Sequence, residues 1–344
     1  MKKVTTINEI AKLANVSRGT VDRVVNNRGY VAEDKLKIIQ KIIKDLNFVP
    51  NTHGRNLALN KSFTIAMVFQ EHSEGDYWEP LINAGKEFYV NYMHLGVRIN
   101  YYFFDYKNLS AFTDIEEKIF SDQNDAVITT KPQNPTLKAF LKKCLQKELP
   151  YVLVGSSDTS FKALCNLGQD ALHSGRLAGK LINYTQKENA TYVIFNLFNE
   201  NNINTNVVNR IKGFKAFFAE NNTPKIKVDV VDISVDDPAL INKIKERINP
   251  LGENDGIFIP NSKAHFIAQF VNKEKLKRFI GFDLIKDNVD ALKSGKIDFL
   301  INQKPYDQAY QGLEILYRFL GTNQQPMDIV QINEEIIVSE SSFK

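Results

Sequence analysis

Residues 14–26, Ala-Asn-Val-Ser-Arg-Gly-Thr-Val-Asp-Arg-Val-Val-Asn, permit little except a tight turn feeding a short amphipathic helix. Val16, Val21, Val24 and Val25 recur at helical spacings and can face one small core, while Arg18, Asp22 and Arg23 fall on the opposite side. Ser17 is a natural N-cap for this helix. Upstream, Thr6-Ile-Asn-Glu9 is a capping box opening an earlier helix, with Ile7, Ile10, Ala11 and Leu13 as its apolar positions. Two short helices joined by a few residues, the second bearing arginines near its start, fit a helix-turn-helix, whose second helix enters the DNA major groove. A third helix over Glu33–Leu46, with Leu36, Ile39, Ile42, Ile43 and Leu46 apolar, closes a three-helix head that Pro50 ends.

Charge follows the same division. Residues 1–60 hold 11 Lys and Arg against 5 Asp and Glu, a net of +6, whereas the whole chain is only +4. A basic head on a slightly acidic body points the head alone at a polyanion. At 344 residues the chain exceeds one compact core. Its 43% hydrophobic and 24% charged content is that of an ordinary soluble protein. Cys144 and Cys165 lie in apolar contexts without metal spacing, so a buried reduced pair is expected. The first residues lack a signal-peptide core, and no apolar run reaches bilayer length, so a cytoplasmic, nucleoid-associated protein is expected.

Between head and body lies Asn51-Thr-His-Gly-Arg-Asn-Leu-Ala-Leu59, capped by Asn51 but with little to bury, a segment unstable as a helix on its own. From Phe63 the texture changes to alternating strands and helices. Strands are expected at Thr64–Phe69, Arg98–Phe104, Asp125–Thr129, Tyr151–Val154, Thr191–Phe195, Ile226–Ile233, Gly256–Pro260, Arg278–Phe282 and Phe299–Gln303. This alternation predicts an α/β body of two doubly wound parallel-sheet subdomains behind an all-α head. Ligands of such sheets bind beyond the strand C-termini, at Gln70, Glu71, Thr130, Lys131, Gly155–Asp158, Asn196, Asn261, Asp283 and Gln303. Most of these residues are polar, which predicts a hydrogen-bonding cleft rather than a reaction centre.

Residues 5–59 closely resemble the DNA-binding head and hinge of the lactose/galactose-repressor family. The matching strings are Thr6-Ile-Asn-Glu-Ile-Ala-Lys-Leu-Ala, Val16-Ser17, Thr20-Val21, Arg23-Val-Val-Asn26, Leu46-Asn-Phe-Val-Pro-Asn51 and Leu57-Ala58. The body is similar, more loosely, to that family's effector domain with its periplasmic-binding-protein fold, through Arg210-Ile-Lys-Gly-Phe214, Asp255–Asn261, Ile280–Asp283 and Ile301–Gln303. The resemblance implies a head at 1–50, a hinge and linker at 51–62, and an effector and dimerisation domain at 63–344. The subdomains would be about 63–165 with 304–325, and about 166–303 with 326–344. It further implies a homodimer or dimer of dimers on a near-palindromic operator, contacted by Thr6, Ser17, Arg18, Gly19, Thr20, Arg23 and Asn26. Arg23 would read a base edge, or else grip a phosphate. Gly19 lacks a side chain where relatives carry a reader. Asp22 replaces a small polar residue and either pairs with Arg18 or accepts from cytosine. Asn51, Arg55, Leu57 and Ala58 fall on the hinge that orders over the operator centre, with Leu57 as a minor-groove wedge.

In the body the same resemblance places Arg210 and Asp283 on effector-contacting positions beside Asn261 and Gln303. An arginine–carboxylate set can hold vicinal hydroxyls of a sugar, or else form a structural salt bridge. Asp158 or Ser156 would substitute for an acid that some relatives carry where Gly155 stands. Tyr77 and Trp78 follow the first strand and stack on a sugar face, or in the case of Trp78 pack a helix. The expected function is a sequence-specific transcriptional regulator, a repressor, under small-molecule control. A carbohydrate-binding protein without a regulatory role is the alternative. No GxSxG, GxxxxGK[ST], HExxH or GxGxxG string occurs, and the five histidines are scattered, so no catalytic residue, cofactor or metal is expected.

Overall fold

The computed structural model describes residues 7–25, 29–46, 62–106, 108–184, 186, 189–198, 204–220, 226–276 and 278–342. The chain divides into two compact units, Met1–Ser62 with Arg318–Gln324, and Phe63–Tyr317 with Gln325–Lys344.

In the first unit, α1 spans Ile7–Leu13, α2 Arg18–Val25 and α3 Glu33–Asp45. Ile10, Val21 and Ile39 are fully buried and Ala11 nearly so, with Ile7, Val16, Val24, Ile42 and Ile43 packed around them. Leu13 and Leu46, expected in this core, are exposed instead. The seam of α1 runs through Ile7, Ile10, Ala11 and Ala14, leaving Leu13 to its side. Leu46 lies just past the end of α3. Asn15 takes a left-handed conformation (φ 49°) in the turn, and the Val16 N–H returns to the Ala11 carbonyl.

The second unit contains β1 Phe63–Gln70, β2 Val97–Phe104, β3 Ala126–Thr130, β4 Tyr151–Val154, β5 Cys165–Gly168, β6 Ala190–Phe198, β7 Ile226–Ser234, β8 Gly256–Phe258, β9 Arg278–Phe282, β10 Phe299–Asn302, β11 Ile329–Gln331 and β12 Glu335–Ile337. Its α-helices are α4 Glu79–Tyr92, α5 Phe112–Ser121, α6 Pro135–Gln146, α7 Ala171–Ile182, α8 Thr205–Glu220, α9 Leu240–Ile248, α10 Ala264–Ala268, α11 Lys286–Lys293 and, as far as Tyr317, α12 Pro305–Thr322. Two six-stranded sheets result, ordered β2-β1-β3-β4-β5-β11 and β7-β6-β8-β9-β10-β12. Among the described residues all pairings are parallel except β10 with β12. The central strands are buried on both faces, as the unbroken apolar run Ile65–Phe69 shows.

Tyr310 and Tyr317 of α12 pack on Phe88, Tyr92 and Phe63, so the chain returns from β10 to the first sheet. It then enters β11 of the same sheet and passes to β12 of the second. The sheets therefore divide the body differently from the sequence expectation at two strands. β5 reaches past 165 into Gly168, and β11, assigned beyond 326 to the second subdomain, pairs with β5 in the first. With three or four residues each, β5, β11 and β12 are too short to display a period. Both cysteines are free and buried. Burial pushes the Cys144 thiol up to about 12 and the Cys165 thiol up to about 11. Among the described residues no helix is long and apolar enough to cross a membrane.

Candidate functional site

On the head, Arg18, Gly19 and Arg23 stand exposed on α2. Ser17 caps this helix, its Oγ accepting the Thr20 N–H at 3.1 Å and lying 2.9 Å from the Thr20 hydroxyl. These two hydroxyls therefore serve local structure as well as any contact outside it. A methyl group at Gly19 would meet only Ser17 Oγ, at 3.7 Å, so this backbone does not require glycine. Thr6, Asn26, Asn51, Arg55, Leu57 and Ala58 lie outside the described residues.

The body cleft is built where the strands end. Gln70 closes β1, Thr130 and Lys131 follow β3, Gly155 follows β4, Asn261 and Ser262 follow β8, Asp283 follows β9 and Gln303 follows β10. All of them line one cavity together with Tyr77, Trp78, Tyr106, Asn206 and Arg210. Parallel strands in a twisted sheet bring their C-terminal turns to one edge, and the two sheets face each other across that edge.

At its base lies a buried polar chain. The Arg210 guanidinium is buried and sits 3.9 Å from the centre of the Phe282 ring. Its Nη1 donates to the Pro260 carbonyl at 2.8 Å, and its Nη2 donates to Gln303 Oε1. Gln303 Nε2 in turn donates to Asp283 Oδ1 at 2.6 Å. Arg210 and Asp283 are thus joined through one amide instead of the direct salt bridge considered from sequence. Arg210 Nε has no hydrogen-bond partner among the described residues, although it is buried. Burial raises the Asp283 carboxyl to about 6, against the opposing pull of Arg210 and of the Gln303 hydrogen bond. Burial likewise lowers the Arg210 pKa, which Asp283 and Tyr77 partly restore. The Tyr77 phenol is pushed up by burial and then by Asp283, so it stays neutral and able to donate.

Aromatic surface completes the wall. Trp78 meets Tyr77 edge-to-face at 5.3 Å and leans on Phe69 at 6.4 Å, so it both lines the cavity and packs the core. Asn261 is less free than expected. Its Nδ2 donates to the Leu197 carbonyl and its Oδ1 accepts the Lys263 N–H, so the side chain shapes the loop it stands on. Asp158 does not line the cavity, and neither does Ser156. Asp158 forms an ion pair with Lys131, which does line it. Burial opposes ionisation of Asp158, but the Lys131 and Ser160 hydrogen bonds outweigh it and lower its pKa.

Several site residues were not legible in the sequence. Asn288, fully buried on α11, donates through Nδ2 to the Ser262, Phe282 and Asp283 carbonyls at 3.0, 2.8 and 3.1 Å and accepts the His265 N–H. It fixes the backbone at Asp283, whose φ is 69°. Gln308 donates to the Gln303 carbonyl and accepts the Gly155 N–H. Across the cleft, Lys131 reaches Thr205 at 3.2 Å, and Asn206 donates to the Gly155 carbonyl at 2.6 Å. Only the asparagine at 204, which caps α8 by accepting the Asn206 and Val207 N–H groups, has an N-cap signal that sequence could reveal. Among the described lining residues there is neither histidine nor cysteine. The arrangement supplies directional donors, a buried carboxylate and aromatic faces, which suit holding a polyhydroxylated ring.

Residues 6–51 match the lacI family of bacterial regulatory proteins, and residues 65–324 match the periplasmic binding protein domain family. The chain is 52% identical over 62 residues to the NTD biosynthesis operon regulator of Bacillus subtilis, a match covering 18% of this chain and 19% of that protein. Over 325 residues the chain is 24% identical to the ribose operon repressor of Lactococcus lactis, covering 93% of this chain and 92% of that one. Among solved structures, the arabinose-binding protein AraP of Geobacillus stearothermophilus superposes with a TM-score of 0.67 at 19% identity, covering 81% of this chain and 98% of that one. These likenesses agree with the two-sheet body and the three-helix head. The chain belongs to the periplasmic binding protein domain family through its body and carries the head of the lacI family of bacterial regulatory proteins.

Proposed function

We propose that this protein is a transcriptional repressor whose affinity for operator DNA is set by a carbohydrate bound in the body cleft. The observation that carries the reading is the buried Arg210–Gln303–Asp283 chain, with Tyr77 and Trp78 beside it, in a chain that also bears a lacI-family head. The likeness to the ribose operon repressor and to an arabinose-binding protein supports a sugar or sugar derivative as effector. Tyr77, Trp78, Arg210, Asn261, Asp283 and Gln303 contact it, and Asp158 acts through Lys131.

On DNA, α2 lies in the major groove with Arg18 and Arg23 toward base edges and Gly19 close to the duplex, while Thr6, Ser17, Thr20 and Asn26 hold phosphates. Asn51, Arg55, Leu57 and Ala58 contact the minor groove at the operator centre of a homodimer or dimer of dimers. The protein works in the cytoplasm, as a binder and not as an enzyme. The test is selection of operator fragments from a random library with the full chain, followed by anisotropy titration with and without a panel of neutral sugars. A sequence-selective complex whose affinity shifts with one sugar supports the reading. DNA binding that no panel member alters, together with no calorimetric heat, sinks the ligand-controlled part of it.

A further inference from the structure

The cavity described above is small, about 190 Å³. A second cavity of about 580 Å³ adjoins it, and Tyr77 and Asp283 line both. Pockets for drug-sized ligands span roughly 300–1,000 Å³, and the two cavities taken together fall within that range. We infer that the effector is an uncharged two-unit sugar, a disaccharide or glycoside, with one ring against Arg210 and its second unit in the larger cavity past Tyr77 and Asp283. This rests on the carbohydrate reading and refines it.

Lining chemistry supports a second ring of the same kind. Pro80, Leu284 and Pro305 give the larger cavity apolar surface, and Lys286 and Lys304 bring ammonium donors to it. Among the described residues neither ammonium group takes part in an ion pair. An apolar face with donors at its edge matches a pyranose, which presents C–H faces and a hydroxyl rim. Charge excludes a phosphate or carboxylate there. Asp76, Glu79, Asp307 and Glu335 outnumber the two lysines, and Asp283 stands at the junction. Like charges brought into such a space repel. The smaller cavity is no better for an anion, because Lys131 is paired with Asp158 and Arg210 is coupled to Asp283 through Gln303.

The test is calorimetric titration of the full chain with maltose, cellobiose, lactose, melibiose and trehalose, with each component monosaccharide, and with glucose 6-phosphate. It is repeated on Asp307→Trp, an exposed position on α12 where a large side chain fills the second cavity without entering the core. At least one disaccharide is expected to bind ten-fold or more tightly than its components at 1:1 stoichiometry. Asp307→Trp should then weaken it ten-fold or more and leave the monosaccharide within two-fold. Monosaccharides binding as tightly as every disaccharide, tightest binding of the sugar phosphate, or equal weakening of both classes by Asp307→Trp overturns the two-unit inference while the carbohydrate reading stands. No binding by any sugar overturns both.

Discussion

Gly175 on α7 lies so close to Arg210 on α8 that a Cβ on the glycine would sit 1.9 Å from the Arg210 carbonyl oxygen. The contact is reciprocal, since a Cβ on Gly213 would sit 1.9 Å from the Leu172 carbonyl. These two glycines let the helices touch backbone to backbone, and that approach sets where the Arg210 guanidinium reaches the cleft. Gly175→Ala should force α8 outward. Overpacking of this kind costs about 1–3 kcal/mol. Thermal melting should fall accordingly, and sugar binding should be lost from the protein that remains folded. Unchanged melting and binding would show that the helix pair slides freely.

Gln303→Leu removes the amide that joins Arg210 to Asp283. Each buried partner then loses a hydrogen bond, at a cost of about 1–3 kcal/mol apiece. Stability should drop, and the sugar response should disappear while operator binding without ligand persists. A Gln303→Leu protein that still releases DNA on sugar addition would place the effector elsewhere.

Asp283 gives the ligand site a pH dependence. Its folded pKa, about 6, lies above its ordinary 3.8, so the folded state holds the extra proton between those values. Stability from this group therefore rises as pH falls from about 6 to about 4. Sugar affinity should move the other way, because the ionised carboxylate is the better acceptor. At pH 5 about one molecule in ten is ionised, so Kd should be about tenfold weaker than at pH 7. Asp283→Asn should flatten that profile. A slope that persists in Asp283→Asn would assign it to another group.

Lys131→Met breaks the ion pair to Asp158 and the bond to Thr205 across the cleft. Asp158 remains partly exposed and can hydrate, so the loss in stability should stay within about 1 kcal/mol. The effect should fall on ligand dissociation, several-fold faster by stopped flow. Equal dissociation rates in the two proteins would mean that this link contributes nothing to holding the sugar.

On the head, Arg23→Ala should abolish preference for the selected operator and leave weaker, salt-sensitive DNA binding. Gly19→Ala meets only Ser17 Oγ, at an ordinary contact distance of 3.7 Å, and should raise head stability by up to about 1 kcal/mol, read as a higher melting temperature. Full operator preference in Arg23→Ala would reduce that arginine to a phosphate contact.

The head was legible because helices write themselves locally. The Ser17 cap and the valine spacing of α2 depend on residues three or four apart, and the same intervals bury Ile10, Val21 and Ile39. The long apolar strands and the polar turns after them were legible for the same reason, which brought Asp283 and Gln303 to notice. Three-residue strands such as β11 have no period to read, so the sheet to which 329–331 belong was decided by pairing alone. The site's second tier also came only from the tertiary structure. Asn288, Gln308 and Gly175 act on partners far away in sequence, and nothing in their own neighbourhoods marks them. Sequence by itself determined the helices of the head, the longer strands and the polar ends of those strands. Tertiary packing decided that Gln303 stands between Arg210 and Asp283, because the pairing of β9 with β10 and the packing of α8 on that same sheet place those three side chains within hydrogen-bond reach.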